Sequence, residues 1–487
     1  MALALPALMC VASGLVVVSL CWTRRSPLAS DLLLRVSLAV GFGLGIFSVI
    51  YFVVRLSGAT HLMLVDAAVF LVLLVVFLVF RSRAATTAPA GSSVPMHDAA
   101  SWFRIVLAVA FVIALWVSLY SAVMRTRAHP HGDGWDAFAI WNLHARFLFR
   151  GGAHWRDGFT ALIPWSHPDY PLLLPGAVAH FWTLLGRDHP AVPAVIGFIF
   201  TFSTIAVMFS ALYILRGSTP AMLGGIALLA TPSYLELGTW QYADVPLSFF
   251  FLATIVLLHL HDDAAKDDGA QDYFLHRSPR LLVLAGLAAG FAAWTKNEGV
   301  LFLGAVLLAR FLARVRRRNM ESEGRAADAT STMPMLVAVV PVLLVIAYFK
   351  HFIAPPGDLF SDPATMLHKV LDPARYWAVT KWYGKEFLLF GHWWLIPTTL
   401  LMVVYYFVAG KDDRDQTPAL RASILALAIT LAGYFVIYLI TPYDIYWHLR
   451  FSLSRLFLQL WPSAIFLFFL TVGGPASQRS LKPPFAP

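Results

Sequence analysis

The stretch HGDGWDAFAIWNLHARFLFRGGAHWRDGFTALIPWSHPDYP, residues 131–171, is the longest polar interruption in an otherwise apolar chain. It gathers acids, histidines, arginines and aromatic residues between two apolar segments. Backbone at membrane level must satisfy its own hydrogen bonds, so a segment this polar is expected at or beyond a bilayer surface, where water and headgroups are available. We therefore expect this stretch to carry functional residues.

The composition around that stretch is typical of a membrane protein. Of the 487 residues 59% are hydrophobic and 13% are charged, and the mean hydropathy is +0.71. Soluble proteins carry about a quarter charged residues. Continuous apolar runs such as 67–80 and 424–440 predict helices rather than strands. The sequence thus predicts an all-α polytopic membrane protein with roughly 12–14 transmembrane helices, and with interfacial helices in the first large outer loop.

The net charge of +9 is explained by topology and does not indicate a nucleic-acid partner, because the basic residues lie in short loops between apolar segments. The basic run 310–318 marks its loop as cytoplasmic. Counting outward from it places Asp244, Lys296, the loop 354–387 and a turn over 442–452, before a last span from residue 453, on the opposite, outer side. Counting from the N-terminus places the loop 124–170 on that same side. Three apolar segments lie between the loop 124–170 and Asp244. Because an odd number of crossings would put the two on opposite sides, one of these segments must not cross the membrane. The first candidate is 219–235, which is short and contains Pro232, and the second is 171–186.

Four regions are expected along the chain. Residues 1–83 form an N-terminal three-helix transmembrane extension, and 84–101, rich in Ala, Ser, Thr and Pro, form a flexible cytoplasmic linker. Residues 102–472 form the main transmembrane catalytic module, and 473–487 form a cytoplasmic tail. Cys10 and Cys21 both lie in the first apolar segment, so we expect buried thiols and neither a disulfide framework nor a zinc site.

Ionisable residues close to membrane spans are costly, so each one is a functional hypothesis. Asp133 and Asp136 lie three residues apart and share a face if a helix begins there. Either carboxylate could act as a general base or hold a cationic part of a substrate. Asp133 could equally be a helix N-cap. Asp136 is followed by the apolar and aromatic run AFAIW, so a capping role explains it less well.

Two further groups lie in the same stretch. Arg146 could bind a phosphate with both arms of its guanidinium, or it could be an ordinary surface arginine. His167 and Asp169 come just before a helix that Pro171 is expected to open. A role in the turn and cap explains Asp169, so we retain only His167 as a candidate for substrate binding.

The remaining candidates come later in the chain. Asp244 stands at the head of an apolar helix, where it could also serve as a cap. Lys296 could offset the charge of a phosphate leaving group, or Lys296 and Glu298 could simply neutralise each other. His448 and Arg455 are seven residues apart, hence on one face of a continuous helix, or they could anchor that helix at the interface.

Several motifs are absent from the sequence. It contains no Walker P-loop, no GxGxxG in a dinucleotide-binding context and no HExxH. The chain also lacks a repeated pair of broken segments, which disfavours a secondary transporter. No cofactor and no metal ligand set is predicted, although a divalent metal is left open.

The ordered patterns of an acidic first outer loop, HPDYP, YADVP, WTKNEG and a late outer turn with His and Arg resemble the GT-C superfamily of integral-membrane glycosyltransferases. The closest resemblance is to bacterial relatives of the protein O-mannosyltransferases and the lipid A aminoarabinose transferase, a glycosyltransferase family 39-like group. It covers about residues 103–472. These patterns are moderately specific together and weak singly.

This resemblance implies a GT-C-like bundle in the bacterial inner membrane with its active site facing the periplasm. It implies inverting transfer of a sugar from a polyprenyl-phosphate donor to an envelope lipid, glycan or protein, without a catalytic metal. Asp136 matches the catalytic base, with Asp133 as second choice. Asp244 resembles the family's acid after the third helical region, and Lys296 resembles the lysine that commonly faces the donor phosphate. His167 stands where relatives often carry lysine. A lipid-linked glycan flippase or transporter, or a GT-C-like protein that only binds, remains the alternative.

Overall fold

The computed structural model describes residues 3–22, 29–83, 101–263, 279–320, 332–357, 359, 363–391, 397–410 and 417–473. Within these ranges the regular secondary structure is helical throughout, which confirms the predicted all-α class. Most of the predicted linker and nearly all of the predicted tail lie outside the described residues. Ser101, which we had assigned to the linker, is the first residue of a helix.

Eighteen α-helices are present in the described residues. Their bounds are α1 Ala4–Cys21, α2 Ala29–Ser57, α3 Leu62–Arg83, α4 Ser101–Ala128, α5 Asn142–Arg150, α6 Leu173–Leu185, α7 Ala191–Arg216, α8 Ser218–Leu229, α9 Pro232–Thr239, α10 Asp244–Asp263, α11 Pro279–Thr295, α12 Asn297–Met320, α13 Met333–Phe352, α14 Pro363–Val370, α15 Pro373–Leu389, α16 Thr398–Ala409, α17 Pro418–Ile440 and α18 Ile445–Thr471. The polar stretch adds a π-helix, Ala137–Trp141, before α5 and two 3₁₀ turns, Gly152–Phe159 and Pro164–Ser166, after it.

Nine helices in the described part of the chain are long and apolar enough to cross a membrane: α1, α2, α3, α4, α7, α10, α13, α17 and α18. The prediction of a polytopic helical membrane protein is therefore confirmed. The predicted 12–14 spans are not reached by this measure. Helices α6, α11 and α16 are apolar but have fewer than 18 residues, and α12 ends in the basic run.

Both segments that we singled out as too short to cross are indeed short helices. Helices α8 and α9 together resemble one span, but they are bent by 65° at a break of a few residues, as a broken span or a re-entrant loop would be. Pro232 is among the first residues of α9, where its missing N–H group costs nothing. Helix α6 has 13 residues and is therefore about 20 Å long, too short to cross the hydrocarbon core unaided.

The predicted N-terminal extension is an integral part of the bundle. Helix α1 packs so closely on α2 that a Cβ added at Gly14 would overlap the carbonyl of Ala39. Helix α2 in turn bonds to distant elements, because Ser48 Oγ donates to Leu172 O at 3.0 Å and accepts from Trp294 Nε1 at 3.1 Å. Helices α1 and α2 therefore share one packed body with the later helices.

Helix α3 is mostly exposed and is joined to the bundle by a buried polar pair. Asp66 Oδ2 lies 2.9 Å from His180 Nε2 of α6, and both side chains are fully buried. Phe47 and Tyr51 of α2 pack their rings against His180. Removal of either partner of such a buried pair would leave an uncompensated ionisable group among apolar helices, which is strongly destabilising.

The start of α18 differs from the sequence prediction. We expected an outer turn over 442–452 and a span from residue 453, but the helix begins at Ile445. Asp444 is its N-cap, because its carboxylate accepts a hydrogen bond from Trp447 N at 2.8 Å. His448 and Arg455 therefore lie on one continuous helix.

Candidate active site

Two glycines bring Asp136 to the site. Gly132 and Gly134 have φ values of +83° and +77°, a region that residues with a Cβ adopt rarely. A Cβ at Gly132 would lie 2.7 Å from Trp240 O, and one at Gly134 would overlap the hydroxyl of Tyr242. The HGDGWD turn therefore lies directly against the chain that precedes Asp244.

Side-chain hydrogen bonds hold these two segments together. Gln241 has a φ of +63°, and its Nε2 donates to Pro130 O at 3.1 Å while its Oε1 accepts from Asn142 Nδ2 at 2.9 Å. The N–H group of Asp136 donates to Tyr242 Oη at 3.3 Å. Strained backbone outside glycine is stable only where the surroundings impose it, and such positions cluster at functional sites.

Asp244 is the centre of the site. Its side chain is fully buried at the start of α10. Oδ1 accepts hydrogen bonds from Lys296 Nζ at 3.1 Å and from Gln459 Nε2 at 2.6 Å. Oδ2 accepts from Nε and Nη2 of Arg455 at 3.1 and 2.8 Å. Its carboxylate is therefore occupied by side chains from two distant parts of the chain.

Two more carboxylates extend this centre in opposite directions. Arg455 Nη2 lies 2.6 Å from Asp136 Oδ2, and Lys296 Nζ lies 3.0 Å from Glu298 Oε1. We call the series Asp136, Arg455, Asp244, Lys296 and Glu298 the charge chain. Its signs alternate, and its three carboxylates exceed its two cations by one negative charge.

Three members of the charge chain are partly accessible, whereas its centre is enclosed. The side chains of Asp136, Glu298 and Arg455 are 14%, 12% and 21% exposed, whereas that of Asp244 is not exposed. Arg455 also lies over the ring of Tyr242, with Cζ 4.7 Å from the ring centroid. A substrate can therefore reach Asp136 and Arg455 without unpacking Asp244.

Two side chains that help to hold Asp244 in place, Gln459 and Tyr434, were not predicted. Gln459 lies one helical turn after Arg455, and its Oε1 accepts from Tyr434 Oη of α17 at 2.7 Å. A buried glutamine four residues from an arginine, in an otherwise apolar helix, is the sequence signal that would have pointed to it. The Gln459 amide thus orients the Asp244 carboxylate and is itself held by Tyr434.

A second polar cluster lies beside the charge chain and consists of Asp169, Asn297 and Lys350. Asp169 Oδ2 accepts from Asn297 Nδ2 at 2.8 Å and from Lys350 Nζ at 3.1 Å, and Lys350 Nζ also donates to Asn297 Oδ1 at 2.8 Å and to Asp169 O. The cap predicted for Asp169 is not present, because the N-cap residue of α6 is Leu172 and has no side-chain cap hydrogen bond. The Asp169 carboxylate pairs with Lys350 instead. Lys350 was not predicted as a site residue, because a lysine at the end of a helix such as α13 is common.

Tyr170 joins the two clusters. Its ring is stacked between Trp141 and His167, with centroid distances of 5.7 and 4.7 Å, and Lys296 Nζ lies 5.7 Å from its centroid. Burial, together with the carboxylates of Glu298 and Asp169, raises the pKa of the Tyr170 phenol well above its usual value. The residue is therefore a neutral ring beside a cation. His167 reaches the site through this stack, from a left-handed backbone conformation with φ of +48°.

His144 lies behind this turn, fully buried against Phe159. Its Nε2 is 3.4 Å from Ser166 Oγ, whose own hydroxyl donates to Ile163 O, so Nε2 carries the imidazole proton. Nδ1 has no hydrogen-bond partner among the described residues. Burial, with a smaller effect from nearby His167, lowers the pKa of His144 to about 3, so the ring is neutral.

Three predicted site residues form their hydrogen bonds or ion pairs with residues outside the charge chain. Asp133 is exposed, accepts from Gly134 N at 2.9 Å and lies 3.9 Å from His129 Nε2. Arg146 donates through Nε to Asp188 at 3.4 Å rather than to any member of the site. His448 is on the same helix as Arg455, but its Nδ1 is 2.8 Å from Thr441 Oγ1. The phosphate clamp predicted for Arg146 is thus not supported by its position.

The described ranges contain no group of three or more His, Cys, Asp or Glu side chains placed to hold a metal ion. Both cysteines are free and buried, as predicted. Comparison of the chain with protein-family models, with curated proteins and with solved structures gives no match. The chemistry of the site must therefore be argued from its own residues, which offer a partly exposed carboxylate and a partly exposed guanidinium beside a buried ionic network.

Proposed function

We propose that this protein is a membrane glycosyltransferase that transfers a sugar from a polyprenyl-phosphate donor to a lipid, glycan or protein acceptor, with inversion at the anomeric carbon. The observation that supports it best is the charge chain. It joins residues 136, 244, 296, 298 and 455 at one place and leaves a carboxylate and a guanidinium partly exposed next to each other. General base and phosphate ligand are thereby adjacent.

In this mechanism Asp136 accepts the proton of the acceptor hydroxyl. The acceptor oxygen forms a bond to the anomeric carbon as the bond from that carbon to the phosphate oxygen breaks, so polyprenyl phosphate leaves. Arg455 and Lys296 offset the negative charge that develops on the leaving phosphate. A single displacement from the opposite face inverts the configuration.

The other residues have positioning roles in this proposal. Asp244 and Gln459 hold Arg455 and Lys296 in place, and Glu298 fixes Lys296 from the other side. Tyr170 and His167 form the aromatic wall next to Lys296, where a sugar ring would stack. We assign no cofactor and no catalytic metal.

The location follows from the lipid donor. A polyprenyl chain keeps the leaving group in the membrane, so transfer needs no soluble nucleotide sugar at the site. The resemblance to bacterial GT-C enzymes favours the inner membrane, with the site facing the periplasm. An accessibility assay with a membrane-impermeant reagent on a cysteine introduced at exposed Asp157 would test this orientation.

The decisive experiment uses purified protein in proteoliposomes with radiolabelled polyprenyl-phosphate hexoses and pentoses and extracted envelope acceptors. Asp136→Asn is expected to lower transfer by about a hundredfold or more, the usual contribution of a general base, while donor binding is retained. Asp133→Asn separates the two candidate bases. Loss of transfer in Asp133→Asn together with wild-type transfer in Asp136→Asn would reassign the base to Asp133.

The same assay tests the transporter alternative. Donor and acceptor are supplied on one side of the vesicle only, and both product and translocated donor are measured. Transfer without translocation supports the enzyme. Translocation of the lipid-linked sugar without any transferred product would instead indicate a flippase.

A further inference from the structure

The guanidinium of Arg455 can offer an anion only one of its edges. The edge formed by Nε and Nη2 is bound to Asp244 Oδ2. A second two-pronged contact must use Nη1 and Nη2, and Nη2 is already 2.6 Å from Asp136 Oδ2. A phosphate that binds Arg455 in this way meets the Asp136 carboxylate at the same nitrogen.

We propose that Asp136 is a competing ligand of Arg455, and that a phosphate group on the substrate displaces it. This inference rests on the proposed function and adds an order of events to it. The carboxylate that serves as the base is held by Arg455 until the phosphate of the donor binds, and it is then free to accept the acceptor's proton. The donor therefore binds before the acceptor is activated.

Burial decides which carboxylate leaves Arg455. Asp244 is fully enclosed and also bound by Lys296 and Gln459, so its removal would break buried hydrogen bonds to two further side chains. Within the described residues, the carboxylate of Asp136 has Arg455 as its one hydrogen-bond or ion-pair partner. Its side chain is partly exposed, so the carboxylate can rotate toward solvent while the N–H group of Asp136 stays bonded to Tyr242 Oη.

The charge balance points the same way. The charge chain already has one carboxylate more than it has cations. A phosphate added while Asp136 remains on Arg455 would place two anions on one edge of the guanidinium, where like charges repel. Release of Asp136 removes that repulsion and leaves the phosphate paired with Arg455.

The test measures phosphate affinity rather than catalysis. The full chain in nanodiscs is titrated with polyprenyl phosphate and, separately, with inorganic phosphate at fixed ionic strength. Asp136→Asn removes the competitor and is expected to tighten polyprenyl phosphate binding by about tenfold, the contribution of one charge-assisted hydrogen bond. Arg455→Gln is expected to weaken binding in both arms.

Two variants serve as controls. Asp136→Glu keeps a competing carboxylate and is expected to bind close to the wild-type affinity. Asp157→Asn removes the same charge from an exposed site in the same polar stretch, where the carboxylate lies 3.7 Å from His154, and is expected to change nothing. Thermal unfolding of each variant is measured as well, so that phosphate binding is compared only among folded proteins.

Unchanged or weaker phosphate binding in Asp136→Asn would overturn the competition, whatever the transfer assay shows. Equal tightening in Asp157→Asn would also overturn it, because the effect would then be general electrostatics. Tightening in Asp136→Asn for both probes supports recognition of the phosphate group itself, and tightening for the lipid probe alone supports a lipid phosphate as the ligand. Tightening in a protein that transfers no sugar would leave the competition standing while the glycosyltransferase proposal fails.

Discussion

Replacing Asp244 by asparagine removes the buried negative charge between Lys296 and Arg455. The asparagine keeps the volume and one acceptor oxygen, so the cost comes from the two cations, which lose their shared partner in a site without solvent. Removal of one member of a buried ion pair typically costs about 3–5 kcal/mol. Because Glu298 and Asp136 still neutralise part of the charge, we expect a loss near the lower value, about 3 kcal/mol of unfolding free energy.

The two buried thiols provide the assay. Cys10 and Cys21 are 2% and 8% exposed, so a thiol-reactive fluorophore labels the folded chain slowly and the unfolded chain rapidly. A denaturant titration in mixed micelles, followed by this label and by tryptophan fluorescence, gives the change in unfolding free energy. Asp157→Asn, at an exposed site, is the matched control and is expected to shift it by no more than about 0.5 kcal/mol.

A double-mutant cycle tests whether Asp244 and Lys296 stabilise the protein through each other. Lys296→Met removes one of the two cations that lose a carboxylate partner in Asp244→Asn, so the double variant is expected to lose less stability than the sum of the single variants. The coupling between contacting groups should reach about 1 kcal/mol or more. A loss below about 1 kcal/mol for Asp244→Asn, or additive single effects, would show that this ionic centre is not what holds the site together.

Two other predictions concern backbone geometry and the buried pair. Gly134→Ala is expected to lower both stability and transfer, because its backbone has φ of +77° and the added methyl group meets a tyrosine hydroxyl; transfer assays and the same unfolding titration measure this. Asp66→Leu is expected to destabilise the protein by about 3 kcal/mol because it leaves His180 buried alone, whereas the double variant Asp66→Leu/His180→Leu should recover most of that loss.

Both predictions can be checked against a second variant. Gly152→Ala also places a methyl group at positive φ, +52°, but in open space, so it isolates the backbone strain from the steric clash. Equal effects at Gly152 and Gly134 would mean that contact with the 240–244 segment is unimportant. If the double Leu variant is less stable than Asp66→Leu, the pair has a favourable role beyond mutual neutralisation.

Much of the architecture could be predicted because it depends on local composition. Apolar runs long enough to span a bilayer indicate helices whatever their neighbours are, and the proline and glycines of the 219–235 segment indicate a break. Counting spans also predicted that Asp244 and Lys296 lie on the same side of the membrane as the outer loop that contains Asp136. The structure records contacts that join these three residues through Arg455.

Pairing partners could not be predicted, because they depend on the rotation and tilt of each helix. Arg146 and Arg455 are both arginines on helices, yet Arg146 binds partly exposed Asp188 and Arg455 binds buried Asp244. Nothing in their local sequences distinguishes them. Lys350 likewise looks like a helix-end charge until the 167–171 turn is folded against it.

The sequence by itself therefore determined the class of the protein and most of the polar side chains that form the candidate site, in the stretch 131–171 and in the later motifs. Only the tertiary structure decided that Asp136, and not Asp133, joins the charge chain. Two glycines with positive φ turn the chain so that the Asp136 carboxylate approaches Arg455, while that of Asp133 faces solvent. Such a choice is made by packing between segments more than 100 residues apart, which local patterns do not encode.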